Sequence, residues 1–337
     1  MNKKHAICKI YAFFLAICLL LQVLPITFNA EETERLVPRE SIRISTAEEL
    51  VEFAENCRLN TWSEGISVVL KKDIDLSGVE FNGIPVFSGS FYGQGHTIKG
   101  ISITSDGSVL GFFRYLEETA IVYDLNLEGE ITPGGTREMV GGIAGENAGT
   151  IINCSFFGTI SGGDRVGGLV GSNESTGLIE DGTFSGVLSG NHFLGGIAGE
   201  NHGVIRTCTN EADINAEAVQ NNVSLEDITI DDLVNTEYAS TSTDIGGIAG
   251  ANHGVIRESF NYGSVGYASM GYNIGGIAGS QKGYIADCVN YAKICGRKEI
   301  GGIVGQMEPN IVLTYSTDTL QILSGQMDVL SGKVNNL

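Results

Sequence analysis

Cysteines at a recurring position are the first residues here that could carry chemistry, as a disulfide pair or as zinc ligands. Cys154, Cys208 and Cys288 occupy one place in three copies of a repeated unit, where two other copies have Gly182 and Ser259. No two of them lie on neighbouring copies, and strands two steps apart in a stack are about 9.5 Å apart, beyond disulfide reach. The sequence also lacks the Cys-x-x-Cys spacing that would indicate a zinc site. We interpret the three as a buried column of small residues.

Two histidines could act as metal ligands. His202 and His253 each follow an asparagine at one repeat position, but the equivalent positions of other copies hold Ala148 and Lys282. A long insertion falls between them in the sequence. We therefore predict exposed turn residues and no metal site.

A hydrolase or lyase would need carboxylates placed close together, and one pair in the sequence is a candidate. Asp73 and Asp75 would lie on one side of a strand from Val68 to Leu76, with Lys71 and Lys72 alternating beside them. They fall near one end of the repeat region, away from a central groove. We predict no catalytic residues and no cofactor.

An asparagine recurs after each Gly-x turn. Asparagine tolerates the left-handed conformation and can hydrogen-bond to stacked copies of itself. The position predicts a structural ladder rather than a ligand site. Its members are Asn147, Asn173, Asn201 and Asn252, continued by Gln281.

Two features could bind a partner. One repeat position is aromatic in three copies, as Phe157, Tyr262 and Tyr291, and the last two are on consecutive copies. Stacked aromatic rings at this position could bind sugar rings, or they could simply pack on each other. The second feature is an acidic insertion, residues 216–243, which could form a lobe or an extra coil.

The element that positions these residues is a Gly-Gly-Ile-Ala-Gly unit. Copies follow one another at roughly 26 to 29 residues, with one doubled interval, and each has three short apolar segments between Gly and Asn turns. This pattern suits strands and leaves no room for a helix. It predicts an all-β, right-handed parallel β-helix of about eight coils with three strands each. The second glycines of the units are Gly142, Gly168, Gly196, Gly247, Gly276 and Gly302.

The regions outside the repeats have signatures of their own. Residues 1–30 combine lysines with an apolar run, which is typical of a signal peptide. Residues 31–58 contain a capping box at Ser45 and Glu48 that opens a helix through Cys57, expected to cover the first coil. Residues 59–139 read as degenerate first coils and residues 140–315 as the regular repeats.

The C-terminal residues 316–337 carry a heptad pattern. Their apolar residues are spaced three and four apart, as in a coiled coil, and could serve oligomerisation. The pattern stops at the last residue, so we expect the native chain to continue. The apolar residues are Leu320, Leu323, Met327, Leu330, Val334 and Leu337.

The charge balance excludes one class of partner. The chain has 20 basic and 40 acidic residues, a net charge of −20. Nucleic-acid binding rests on neutralising phosphates with Lys and Arg, so nucleic acid is not an expected partner. An acidic surface favours solubility outside the cell.

The repeats resemble a known family. The segments Val140–Cys154 and Leu194–Cys208 look like the GLUG motif, and Phe87–Ile98 resembles the segment that commonly precedes such motifs. The resemblance covers roughly residues 42–315. It implies a bacterial secreted or cell-surface β-solenoid, as in adhesin-like chains and the non-catalytic part of some immunoglobulin A peptidases. Those peptidases carry a zinc-binding His-Glu-x-x-His helix, which is absent from this sequence.

These observations favour a non-catalytic secreted or surface module for adhesion, with a glycan or an extracellular protein as ligand. The alternative is an accessory region of a larger secreted enzyme, an immunoglobulin-degrading metallopeptidase or a polysaccharide-degrading enzyme, whose catalytic part lies outside this sequence. Contact with a membrane is expected only if the signal peptide is retained.

Overall fold

Short strands joined by glycine and asparagine bends wind this chain into a stack of coils. A computed structural model describes residues 41–59, 62–135, 137–216 and 242–308, and the elements below belong to the unit that begins at Ile42. Each strand pairs in parallel with its counterparts on neighbouring coils, so four sheets run along the stack. The fold is an all-β parallel β-solenoid of about eight turns, as predicted.

Two of the sheets contain nine strands each. The first consists of β1 (Ile42–Ile44), β2 (Ser67–Leu70), β5 (Ser90–Tyr92), β9 (Ile121–Tyr123), β13 (Thr150–Ile152), β17 (Leu178–Glu180), β21 (Val204–Arg206), β26 (Val255–Arg257) and β30 (Tyr284–Ala286). The second consists of β3 (Ile74–Asp75), β6 (Thr97–Ile103), β10 (Asn126–Ile131), β14 (Ser155–Ser161), β18 (Thr183–Ser189), β22 (Thr209–Asn210), β23 (Asp213–Ile214), β27 (Phe260–Asn261) and β31 (Val289–Asn290).

The other two sheets contain seven and eight strands. The third consists of β7 (Val109–Leu110), β11 (Met139–Gly141), β15 (Asp164–Gly167), β19 (His192–Gly195), β24 (Thr243–Gly246), β28 (Tyr272–Gly275) and β32 (Lys298–Gly301). The fourth consists of β4 (Ile84–Phe87), β8 (Phe113–Leu116), β12 (Ala144–Asn147), β16 (Val170–Asn173), β20 (Ala198–Asn201), β25 (Ala249–Asn252), β29 (Ala278–Gln281) and β33 (Val304–Met307).

The expectation of three strands per coil is wrong, because the glycine unit itself contains a bend. In the first regular coil β11 ends at Gly141 and β12 begins at Ala144, so the Gly-Gly-Ile-Ala-Gly segment supplies parts of two strands. Each regular coil thus has a fourth strand where the sequence pattern shows one continuous apolar segment.

A second bend follows the third strand of each regular coil. Ile151 and Cys154 are three residues apart yet both buried, which two inward-facing residues on one flat strand cannot be. Asn153 between them has a φ of 52°, and this left-handed residue turns the chain so that both side chains point inward. Equivalent positive φ values occur at Asp181, Thr207, Glu258 and Asp287.

The double glycine is required by the side chain that packs under it. A Cβ at Gly168 would overlap the Phe184 ring and a backbone carbonyl of the next coil, and a Cβ at Gly196 would overlap the Asn210 side chain and the carbonyl of Gly247. Close approach of one coil to the next, rather than an unusual φ, explains why glycine recurs at this position.

One helix covers the first coils. Helix α1 spans Ala47–Asn56 and buries Leu50 and Phe53; the Phe53 ring lies edge-on to Phe87 at 6.0 Å. Its capping box is formed by Thr46 and Glu49, one residue later than the Ser45 and Glu48 predicted. The Glu49 carboxylate accepts hydrogen bonds from the backbone N–H groups of both Thr46 and Ser45, so the helix begins after Thr46.

Several predicted regions lie outside the described residues: the signal peptide at 1–30, the heptad segment at 316–337, and all but the ends of the insertion at 216–243. Among the residues that the structure does describe, no helix has the length and apolar character needed to cross a membrane.

Candidate functional site

The recurring asparagines form a buried hydrogen-bonded ladder. Asn147 Nδ2 donates to Asn173 Oδ1 at 2.8 Å, and the same bond recurs from Asn173 to Asn201 at 2.8 Å, from Asn201 to Asn252 at 2.7 Å and from Asn252 to Gln281 at 2.8 Å. The amides are buried and occupied with one another, so they hold neighbouring coils in register.

A second ladder, which the sequence analysis missed, runs along another sheet. Asn210 Nδ2 donates to Asn261 Oδ1 at 2.7 Å, and Asn261 Nδ2 donates to Asn290 Oδ1 at 2.8 Å. The signal was present, since the three residues have the same offset from the glycine unit. It was hidden because earlier copies have phenylalanine there.

The buried cysteines of the column have unreactive thiols. Cys154 and Cys208 are buried, and each thiol donates to the carbonyl two residues before it, Ile152 or Arg206, at 3.2 Å. Burial raises the pKa of each thiol to about 12, which removes the thiolate needed for nucleophilic attack or metal binding. Within the described ranges the cysteines are free, namely Cys57, Cys154, Cys208, Cys288 and Cys295.

Asp73 and Asp75 were predicted to lie on one strand, and this prediction is wrong. β2 ends at Leu70 and β3 begins at Ile74, so Asp73 lies in the connecting turn. Asp73 accepts hydrogen bonds from the Thr97 backbone N–H and the His96 ring, and Asp75 accepts one from Ser77. These bonds lower the pKa of both carboxyls, whereas a general acid needs a raised pKa.

The aromatic strip is an exposed stacked pair with a distant third member. The rings of Tyr262 and Tyr291 stack at 4.9 Å with an interplanar angle of 9°, and the two residues are 53% and 63% exposed. Phe157 is 58% exposed in the same column. Ser185 and Glu211 lie between it and Tyr262, joined by a 2.8 Å hydrogen bond.

The histidines, predicted to be kept apart by the insertion, lie against each other. The rings of His202 and His253 stack with centroids 4.7 Å apart and an interplanar angle of 7°. Strands β20 and β25 are direct neighbours, with Asn201 opposite Asn252. The prediction was wrong because the doubled sequence interval corresponds to a single step of the stack.

A carboxylate completes this cluster. Glu200 Oε1 lies 3.1 Å from His202 Nε2 and 3.5 Å from His253 Nε2. These three atoms all lie within 4.8 Å of one another, and the group could hold a metal ion. Burial lowers the pKa of His253, and the neighbouring His202 lowers it further. The neutral imidazole, which is the form that binds metals, is therefore favoured.

The surface around the cluster is strongly charged. Arg165 approaches Glu200 at 3.9 Å and Glu138 at 3.8 Å. Two coils before Glu200, burial raises the pKa of Glu146, and the charges of Glu174 and Glu117 raise it further.

Comparison of the sequence with known proteins gives one family match and two relatives. The GLUG motif matches residues 136–161. Halomucin of Haloquadratum walsbyi is 38% identical over 26% of this chain and 1% of its own length. A candidate Gly-rich membrane protein of Evansella cellulosilytica is 30% identical over 34% of this chain and 18% of its own length. The chain thus spans a small part of either relative.

Comparison with solved structures gives two matches. A candidate immunoglobulin A1 protease from Bacteroides ovatus is 19% identical, with a TM-score of 0.46 over 82% of this chain and 80% of that one. An IgA1 protease is 12% identical, with a TM-score of 0.40 over 80% of this chain and 20% of that one. Together with the coils described above, the sequence match shows that this chain carries a GLUG motif within a parallel β-solenoid.

Proposed function

We propose that this chain is a non-catalytic extracellular or cell-surface module that binds another molecule through the exposed tyrosine pair Tyr262 and Tyr291. The relatives support an extracellular setting, since one is named a mucin and the other a membrane protein. The same binding role applies whether the module acts alone or as a region of a longer secreted enzyme.

The tyrosine pair is the observation that carries the proposal. Tyrosine supplies a large contact area at low conformational-entropy cost, and it is enriched at binding hot spots. Both side chains are more than half exposed. Glu211 directly follows Asn210, which is opposite Asn261, so it lies in the same column one coil before Tyr262, where its carboxylate accepts a hydrogen bond from Ser185.

Of the two ligand classes expected from sequence, a protein fits the pair better than a glycan. A sugar ring packs on a free aromatic face, but each tyrosine covers one face of the other at 4.9 Å. Both side chains stay more than half exposed, and a tyrosine's ring and hydroxyl together suit the mixed apolar and hydrogen-bonding contacts of a protein surface.

The test is to probe the purified protein against an array of extracellular proteins and a glycan array. A Tyr262→Ser/Tyr291→Ser variant should lose at least about tenfold in affinity for the ligand found, because each hot-spot residue contributes about 1 to 2 kcal/mol or more. Phe157→Ser is the matched control, since it removes an exposed aromatic of the same column away from the pair. No binding above background on either array, or equal loss in both variants, would overturn the proposal.

A further inference from the structure

The cluster of Glu200, His202 and His253 has the composition and spacing of a metal site. A tetrahedral ion with ligand bonds of about 2.0 to 2.2 Å separates its ligand atoms by about 3.3 to 3.6 Å. The two carboxylate-to-imidazole distances are 3.1 and 3.5 Å. We propose that these three residues bind one divalent transition-metal ion, with Zn²⁺ as the expected ion, at a site separate from the tyrosine pair.

The backbone holds all three ligands on neighbouring coils. Glu200 is in β20, His202 directly follows β20, and His253 directly follows β25. The N–H of His202 donates to the Asn173 carbonyl at 2.8 Å, and the N–H of His253 donates to the Asn201 carbonyl at 2.7 Å. The asparagine ladder runs immediately before both histidines, so the backbone that carries the ligands is fixed and rotation of the stacked rings is what a metal has to impose.

The charged groups around the cluster leave one carboxylate oxygen of Glu200 for a metal ion. Two protonated imidazoles stacked at 4.7 Å would repel each other, whereas two neutral ones can share an ion with Glu200. Arg165 approaches Glu200 through Oε2 at 3.9 Å, which leaves Oε1 facing the histidines. Lys282, on the coil after His253, is paired with Glu308 at 2.9 Å.

The ligand chemistry selects the class of metal. Imidazole suits zinc, copper, nickel and iron, while magnesium and calcium require oxygen ligands. Three protein ligands leave one position of a tetrahedral ion open, as in sites where the metal takes water or a group from another molecule.

Other coils of this chain supply substitutions that the fold already accepts. The position of Glu200 is Ala251 on the next coil, and His202 occupies the repeat position of Ala148, as His253 occupies that of Lys282. Glu200→Ala, His202→Ala and His253→Lys should therefore remove ligands without disturbing the stack. His96→Gln is the control, because it removes a histidine paired with Asp73 in a distant coil.

The experiment is a titration of the full chain with Zn²⁺ by calorimetry, with the visible spectrum of bound Co²⁺ as a measure of coordination number. We expect one equivalent per chain and a four-coordinate Co²⁺ spectrum. Each ligand variant should lose more than roughly 100-fold in affinity, since losing outer-sphere partners alone costs about 10- to 100-fold. His96→Gln should bind as the unaltered chain does.

Two further readings separate this site from general metal adsorption. Zn²⁺ should raise the melting temperature of the unaltered chain and of His96→Gln, but not that of His202→Ala. Affinity should fall in acid, where protons compete with the metal for imidazole. Binding that is equally strong in the three ligand variants, a six-coordinate Co²⁺ spectrum, or no binding at all would overturn the proposal, and none of these results bears on the tyrosine pair.

Discussion

Two parts of the stack solve the same packing problem with different chemistry. One inward column holds Phe156 and Phe184 in the earlier coils, and Asn210, Asn261 and Asn290 continue it in the later ones. The first asparagine ladder shows the same change further upstream. There Phe87 and Leu116 precede Asn147 in register.

The comparison shows that the backbone decides how close the coils come, while the side chain that fills the space can change. The glycine above the column leaves room for either an aromatic ring or an amide. An aromatic ring stabilises by burying apolar surface, and an amide does so by hydrogen-bonding to its copies on both sides.

The outer surfaces of the two parts differ as well. Exposed aromatics gather on the later coils, where Tyr262, Tyr267, Tyr284 and Tyr291 all face solvent. The column that holds Glu174 on an earlier coil continues as His202, His253 and Lys282. Both candidate binding features thus involve the coils in which asparagine ladders have replaced apolar columns.

The largest expected effect comes from the glycine that both parts share. Gly196→Ala should destabilise the fold by more than about 3 kcal/mol, because the added methyl group meets a backbone carbonyl that cannot move aside. Gly302→Ala is the matched control at the same repeat position, where a Cβ meets nothing within 4 Å. Urea unfolding of both variants measures the difference, and equal losses would refute the steric explanation.

A smaller effect is expected from cutting the second ladder in its middle. Asn261→Ala should cost about 1 to 3 kcal/mol, because it removes the acceptor of Asn210 and leaves buried polar groups short of partners. Asn290→Ala, at the less buried end of that ladder, should cost less. If Asn261→Ala left the unfolding free energy unchanged, apolar packing alone would hold these coils together.

The smallest effect should appear on the outer surface and depend on pH. Burial and neighbouring carboxylates raise the pKa of Glu146 above its ordinary 4.5, so stability is lost as the pH rises from that ordinary value through the raised one. Glu146→Gln should therefore raise the melting temperature at neutral pH, and the gain should vanish below about pH 4. Glu128→Gln, an exposed carboxylate, is the control, and a gain that persists in acid would contradict this account.

The sequence predicted the parts of this structure that depend on local periodicity. The recurring glycine and isoleucine positions led to the stack, and the apolar face of Leu50 and Phe53 led to the covering helix. The fourth strand was missed because the bend inside Gly-Gly-Ile leaves the apolar pattern unbroken. The contact between His202 and His253 was missed because distance along a chain with an insertion does not report distance along the stack.

The insertion has a consequence for how such chains diversify. β23 ends at Ile214 and β24 begins at Thr243, yet Ile214 pairs with Val265 and His192 with Thr243 as though the chain were continuous. Closing a longer loop costs only about 0.6 kcal/mol for each doubling of its length. This junction is therefore a place where evolution, or an engineer, can exchange guest segments of different sizes while the host scaffold keeps its geometry.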